Sequence, residues 1–298
     1  MPTPSTLLAD CRCTLGEGLV WDAGAQAWLW TDIEGARMWR HDPATGATTS
    51  WRLPDRTGSF AICRSGQLLL GLSKGLAWGA LDGSADAVDY TPIIPVEDDN
   101  PTTRINDGRT DRDGNFVFGT MSEAPGHPPT GHVYQFSQQH GLRRLPVGPV
   151  GIANSICFSP DGATIYFCDS MTGRIMRGGY DAAGARVHDI EPFVTVDPAD
   201  GMPDGSVVDA EGALWNAQWG GGVVRRYDPD GRLIAASDVP AQHVTCPAFG
   251  GPDLDILCAT TARQGVTAET LELHPHTGGV YRVAAHGARG IADRLFED

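Results

Sequence analysis

Ile156-Cys157-Phe158-Ser159-Pro160-Asp161-Gly162, followed at once by Ile165-Tyr166-Phe167, decides how this chain is built. An apolar run closes on a Pro-Asp-Gly turn and a second apolar run begins, the pattern of two short strands joined by a tight turn. The phrase recurs along the chain. Leu19-Val20-Trp21-Asp22-Ala23-Gly24 precedes Ala27-Trp28-Leu29-Trp30, and Phe60-Ala61-Ile62-Cys63-Arg64-Ser65-Gly66 precedes Leu68-Leu69-Leu70. Arg109 to Gly114 leads into Phe116-Val117-Phe118, Val207 to Gly212 into Leu214-Trp215, and Ala248 to Asp253 into Ile256-Leu257. The turn glycines 24, 66, 114, 162, 212 and 251 are spaced by 42, 48, 48, 50 and 39 residues, the period of one four-stranded propeller blade.

Second hairpins such as Arg37 to Gly46, Val133 to Phe136 and Val224 to Gly231 complete several of the units. The reading is an all-β chain, one six-bladed β-propeller domain over residues 1–298, in which Thr6-Leu7-Leu8-Ala9 supplies the outer strand of the last blade beside Val280-Tyr281-Arg282-Val283 and removes an open edge. Composition agrees: 38 Gly and 21 Pro are dispersed through 298 residues, with 41% hydrophobic and 20% charged residues, as in a folded, turn-dense protein. The formal charge of −15 argues against nucleic acid and anionic membrane as partners. No apolar run approaches the roughly 20 residues of a membrane span. The first ten residues lack the basic and apolar regions of a signal peptide, and the seven cysteines are an odd number without a Cys-x-x-Cys pair. The expectation is a cytoplasmic protein with reduced thiols.

Eight residues before the turn glycine stand Asn106, Asn154 and Asp204, and seven before it Glu17. The inner strands of a propeller converge on its axis, so these four oxygen-bearing side chains are expected to meet at one end of a central channel. Gly58 holds the matching place in the second unit, and the sixth offers His243 to Thr245. Amide and carboxylate oxygens suit a hard divalent ion such as Ca²⁺, Mg²⁺ or Mn²⁺, and carboxylates also bind zinc. Three other motifs carry no chemistry. Gly71-Leu72-Ser73-Lys74-Gly75 has the letters of a nucleophile elbow but continues into a strand. Asp111-Arg112-Asp113-Gly114 has its glycine two places early for an EF-hand. Gly220-Gly221-Gly222 lacks the following helix of a dinucleotide site.

Leu15-Gly16-Glu17-Gly18-Leu19-Val20-Trp21, Arg104-Ile105-Asn106-Asp107-Gly108, Phe118-Gly119-Thr120-Met121, Pro203-Asp204-Gly205, Phe249-Gly250-Gly251-Pro252-Asp253 and Thr260-Thr261-Ala262-Arg263 together resemble the family of senescence marker protein 30, gluconolactonases and luciferin-regenerating enzymes, over essentially the whole chain. The resemblance implies one divalent ion, its identity open among Ca, Zn, Mn, Mg and Fe(II), held by Glu17, Asn154 and Asp204. It further implies substrate contacts from Arg104 and Asn106, and from Glu123 shortly after Gly-Thr-Met. The phrases around Asp253 and Thr260 look closer to bacterial sugar-acid lactonases than to the animal proteins.

The leading expectation is hydrolysis of a sugar lactone to its aldonic acid, with Asp204 as general base and the ion polarising the carbonyl. A non-catalytic calcium-binding or scaffold propeller is a second reading, and an aryl-ester or phosphotriester hydrolase a third. The partner expected is a small sugar lactone, and the protein is read as a monomer or small homo-oligomer.

Overall fold

The computed structural model describes residues 5–83 and 86–298. After β1 (Thr6–Ala9) the strands come in five groups of four and a last group of three. The first group is β2 (Gly16–Asp22), β3 (Ala27–Asp32), β4 (Arg37–His41) and β5 (Thr48–Arg52); the second is β6 (Thr57–Ile62), β7 (Leu68–Leu72), β8 (Gly75–Ala80) and β9 (Asp89–Pro95). Then follow β10 (Thr103–Thr110), β11 (Phe116–Ser122), β12 (Val133–Ser137) and β13 (Gly141–Arg144), and β14 (Ala153–Phe158), β15 (Thr164–Asp169), β16 (Arg174–Asp181) and β17 (Arg186–Thr195). The chain ends with β18 (Met202–Val208), β19 (Leu214–Trp219), β20 (Val223–Tyr227) and β21 (Leu233–Asp238), and then β22 (His243–Gly250), β23 (Ile256–Ala262) and β24 (Val280–Val283).

The first four groups are separate antiparallel four-stranded sheets in sequence order. The last two share one sheet, ordered β1-β24-β23-β22-β19-β20-β21 with β18 on β19, joined through the single pair Trp219 and His243. As expected from the sequence, β1 completes the last sheet by pairing antiparallel with β24, Thr6 facing Arg282 and Leu7 facing Tyr281. The turn signals thus mark strand pairs correctly, and the described residues are all-β apart from two short 3₁₀ turns and one helix. That helix, α1 (Ala268–Leu273), lies in the β23–β24 connection, where Thr267 caps it by accepting from the Thr270 amide. No helix among the described residues is long and apolar enough to cross a membrane.

The chain divides into two compact units. One runs to Ser50 and resumes over Val196–Ala292; the other is Trp51–Thr195 with Asp293–Asp298. In the first, Trp21, Trp28, Trp30, Ala248 and Cys258 form one cluster and Trp215, Phe249, Leu257 and Tyr281 another. In the second, Phe116, Phe118 and Phe136 pack around Phe296 from the carboxyl-terminal tail, and Ile156, Phe158, Ile165 and Phe167 around Tyr180. Strands such as β3, β11 and β14 are buried along their whole length, which explains the unbroken apolar runs Ala27-Trp28-Leu29-Trp30, Phe116-Val117-Phe118 and Ile156-Cys157-Phe158 within them in place of strict alternation.

Each opening strand of the six groups carries an irregularity near its start. The register slips between Glu17 and Val20, Thr57 and Ser59, Ile105 and Gly108, Asn154 and Cys157, Pro203 and Ser206, and Val244 and Pro247. Bulges of this kind re-aim side chains at strand ends. They also refine the repeat count: Glu17 and Asn154 are the last paired residues before the slip, whereas Asn106 and Asp204 lie within it. The difference of one place has a local cause. Gly18 and Ser155, which follow Glu17 and Asn154, both take left-handed backbone with φ of 59°, a rarity for a non-glycine residue.

Candidate functional site

Glu17, Arg104, Asn106, Asn154 and Asp204 are all at least nine-tenths buried, and polar groups that far from water require specific partners. In the second unit four side chains form one row. Arg104 Nη1 donates to Asn106 Oδ1 at 2.8 Å, and Asn106 Nδ2 donates to Asn154 Oδ1 at 3.1 Å and to the Ala153 carbonyl at 2.9 Å. Asn154 Nδ2 donates to Ser170 Oγ at 3.0 Å. That last bond fixes the amide so that its oxygen, the atom a cation would take, is the one turned towards Asn106. At the other end of the row Arg104 Nε stands 3.7 Å from Glu123 Oε1. Glu123, half-exposed beyond the end of β11, is also gripped by Arg56 through both carboxylate oxygens, at 2.6 and 2.9 Å. The Arg56 hydrogen bonds hold the Glu123 carboxyl below its usual range, against the opposing effect of partial burial.

Asp107, next in the chain, ties the strands behind this row. Its Oδ2 accepts from the Ile156 amide at 2.8 Å, linking the bulge of β10 to that of β14. Burial pushes its carboxyl up to about 6, against the lowering effect of that bond and of Arg109. Asp169 fixes the approach to β14 in turn, accepting from the amides of Gly151, Ile152 and Met171.

In the first unit Glu17 and Asp204 are brought to a common neighbour. β2 and β18 both pack against β22, Thr245 Oγ1 donates to the Gly16 carbonyl, and a Cβ on Gly205 would lie 2.8 Å from the Thr245 carbonyl. Glu17 and Asp204 adjoin those two glycines. Asp32 steadies the approach to β2 as Asp169 does for β14, its oxygens accepting from the amides of Thr14, Leu15 and Gly35. His243, at the head of β22, stacks on Trp219 with ring centres 4.0 Å apart, and its Nδ1 is buried without a hydrogen-bond partner. Burial lowers its pKa.

The donors read from the sequence, the carboxylates of Glu17 and Asp204 in one unit and the amide oxygen of Asn154 in the other, are of the hard type that suits Ca²⁺, Mg²⁺ or Mn²⁺ and is compatible with Zn²⁺ or Fe²⁺. Among the described residues no three His, Cys, Asp or Glu side chains gather in one place. Arg56, Asp32 and Asp169 were not singled out by the sequence. Arg56 precedes its strand in a loop and finds its partner 67 residues away. The two aspartates occupy homologous places, each fifteen residues after Glu17 or Asn154, and that spacing is the only sequence signal they carry.

The family model described as the SMP-30/Gluconolactonase/LRE-like region matches residues 15–263. An L-arabinolactonase of Azospirillum brasilense is 43% identical over 295 residues, covering 98% of this chain and 95% of that one. A pentonolactonase of Haloferax volcanii is 36% identical, over 86% of this chain and 84% of that one. Among solved structures, a protein of Agrobacterium tumefaciens described as the calcium-binding protein regucalcin superposes with a TM-score of 0.90 at 32% identity, over 100% of this chain and 98% of that one.

Proposed function

The chain belongs to the SMP-30/gluconolactonase/LRE-like family, and from that membership we propose that it hydrolyses a sugar lactone, of the pentonolactone class, to the open-chain acid. The row Glu123, Arg104, Asn106, Asn154 is the observation that carries this reading. It sets an acceptor, a cation and a bifunctional amide side by side, a pattern that matches the hydroxyls and carbonyl of a small polyol ester better than the face of a protein partner. The names of the relatives from Azospirillum and Haloferax support the same class.

In the proposed arrangement the six four-stranded groups close into one propeller domain, and Glu17, Asn154 and Asp204 hold one divalent ion. When bound, that ion supplies Lewis acidity for the lactone carbonyl. The chain's own residues do the rest. Asp204 takes a proton from the attacking water at a carboxylate oxygen. Water oxygen bonds to the carbonyl carbon, the ring C–O bond breaks, and the ring oxygen leaves as a hydroxyl that receives the proton back from Asp204. Arg104 donates hydrogen bonds to lactone oxygens and steadies charge on them as the ring opens. Asn106, accepting from Arg104 while donating towards Asn154, keeps both side chains in place.

A panel of five- and six-membered aldonolactones followed by pH-stat, with and without chelator, tests this. Ring opening that stops on chelation and returns with a divalent ion is expected, and Asp204→Ala should abolish it in a protein that still unfolds cooperatively. The description of the Agrobacterium neighbour as a calcium-binding protein favours a second reading, a binding protein without turnover. Tight calcium binding with no lactone opened under any ion would select it.

A further inference from the structure

Arg56 stands two residues before Gly58, where the register of β6 slips, as Arg104 stands two residues before Asn106 in β10. The two strands touch at that level: a Cβ on Gly58 would lie 2.4 Å from the carbonyl oxygens of both Ile105 and Asn106. Two guanidinium groups are therefore delivered by equivalent places of neighbouring sheets, and Glu123 lies against both. Their surroundings differ. Arg104 is 5% exposed in its side chain, whereas Arg56 and Glu123 are 30% and 32% exposed.

We propose that Arg56 is the specificity-determining positioning residue of the lactone site, holding Glu123 as a fixed acceptor for one substrate hydroxyl and keeping it from capturing Arg104. The inference rests on the lactonase reading above. Its geometry is a two-point fork, Nη1 to Oε1 and Nη2 to Oε2. A fork of this kind fixes the carboxylate plane, which one long bond would not. An ionised carboxylate offers about four acceptor positions, so two remain after Arg56 is satisfied. Because the fork keeps Glu123 ionised, those positions accept only, and they select a hydroxyl over an ether, a deoxy carbon or a second carboxylate. Without Arg56 a half-exposed Glu123 has Arg104, already 3.7 Å away, to turn to, the other nearby cation, Lys74, being held by the Glu97 and Asn100 carbonyls and the Thr103 hydroxyl. Closing that gap would draw Arg104 from Asn106.

Steady-state kinetics on the metal-loaded full chain test the assignment, using a pentono-1,4-lactone and its set of single-deoxy analogues. Arg56→Ala should raise KM for the full lactone roughly tenfold to a hundredfold, the scale of a hydrogen bond to a charged group, with kcat much less affected. One deoxy analogue, the one lacking the hydroxyl read by Glu123, should be indifferent to the change. Arg56→Lys, which retains charge but not the fork, should recover part of the loss. In a Glu123→Gln background Arg56→Ala should add nothing further. Calorimetric binding of the aldonic acid product should weaken in parallel, a readout independent of turnover. An unchanged KM, equal losses across all analogues, or full additivity with Glu123→Gln would overturn the assignment. If Arg104→Ala and Glu123→Gln themselves leave lactone kinetics untouched, the lactone-site reading falls and this one with it. If those two matter and Arg56→Ala does not, this one alone falls.

Discussion

At the scale of single residues the site is a chain of directional bonds, so its variants separate by which atom they remove. Arg104→Ala deletes the cation between Glu123 and Asn106 and leaves the side chains of Glu17, Asn154 and Asp204 in the chain. Kinetics should show kcat/KM falling by roughly one to three powers of ten, and metal analysis should show an unchanged content. Asn106→Asp keeps size and removes the amide donor, setting a carboxylate against the Ala153 carbonyl and Asn154 Oδ1 where two N–H bonds now run. Turnover should be lost, and the row should loosen by the cost of unmet buried acceptors, about 1–3 kcal/mol, read as a lower unfolding midpoint than that of Asn106→Ser. Legibility divides along the same line. Glu17, Asn106, Asn154 and Asp204 could be picked out because each repeats a place in the period. Arg56 could not, since the pairing that gives it meaning joins loop residue 56 to strand-end residue 123.

At the scale of elements the bulges decide. The turn glycines foretold where strands begin and end, because Gly66, Gly114, Gly162 and Gly212 all need left-handed backbone, with φ from 75° to 87°. The register slips were not legible, because a bulge is a relation between two strands and leaves no fixed mark on one. Asp107 ties the bulges of β10 and β14 by accepting from the Ile156 amide, and its carboxyl, raised by burial to about 6, gives that tie a pH dependence. The folded chain holds this proton more tightly than the unfolded chain does. The contribution of Asp107 is therefore greatest below the ordinary carboxylate pKa and declines as pH rises through about 6. Asp107→Asn keeps an acceptor for Ile156 and cannot ionise. Denaturant titrations between pH 4 and 8 should show the decline present in the parent and flattened in the variant. A slope unchanged in Asp107→Asn would assign it to other groups.

At the scale of the whole molecule the two chain ends do separate jobs. The amino-terminal strand β1 pairs with β24 in one unit, with Ala9 in the tryptophan cluster. The carboxyl-terminal tail is held in the other unit, with Phe296 wholly buried between Phe136 and Trp78, ring centres 5.7 and 5.9 Å away, and Arg109 paired with Asp293. The outer-strand role of Thr6 to Ala9 was readable, since the last unit lacks an outer strand beside Val280 to Val283 and a short apolar segment at the other end of the chain can remove that open edge. The tail was not, because Phe296 is a lone aromatic in a polar stretch and only the hole it fills explains it. Phe296→Ala should cost about 3–5 kcal/mol, as for other fully buried aromatic side chains, and Leu7→Pro should remove the β1 ladder from a sheet edge. Each change strikes one compact unit. If the six groups of strands form one cooperative domain, calorimetry should show a single transition in the parent, moved down as a whole by either change. Two transitions, with Phe296→Ala lowering one and Leu7→Pro only the other, would instead make the units independent folding domains.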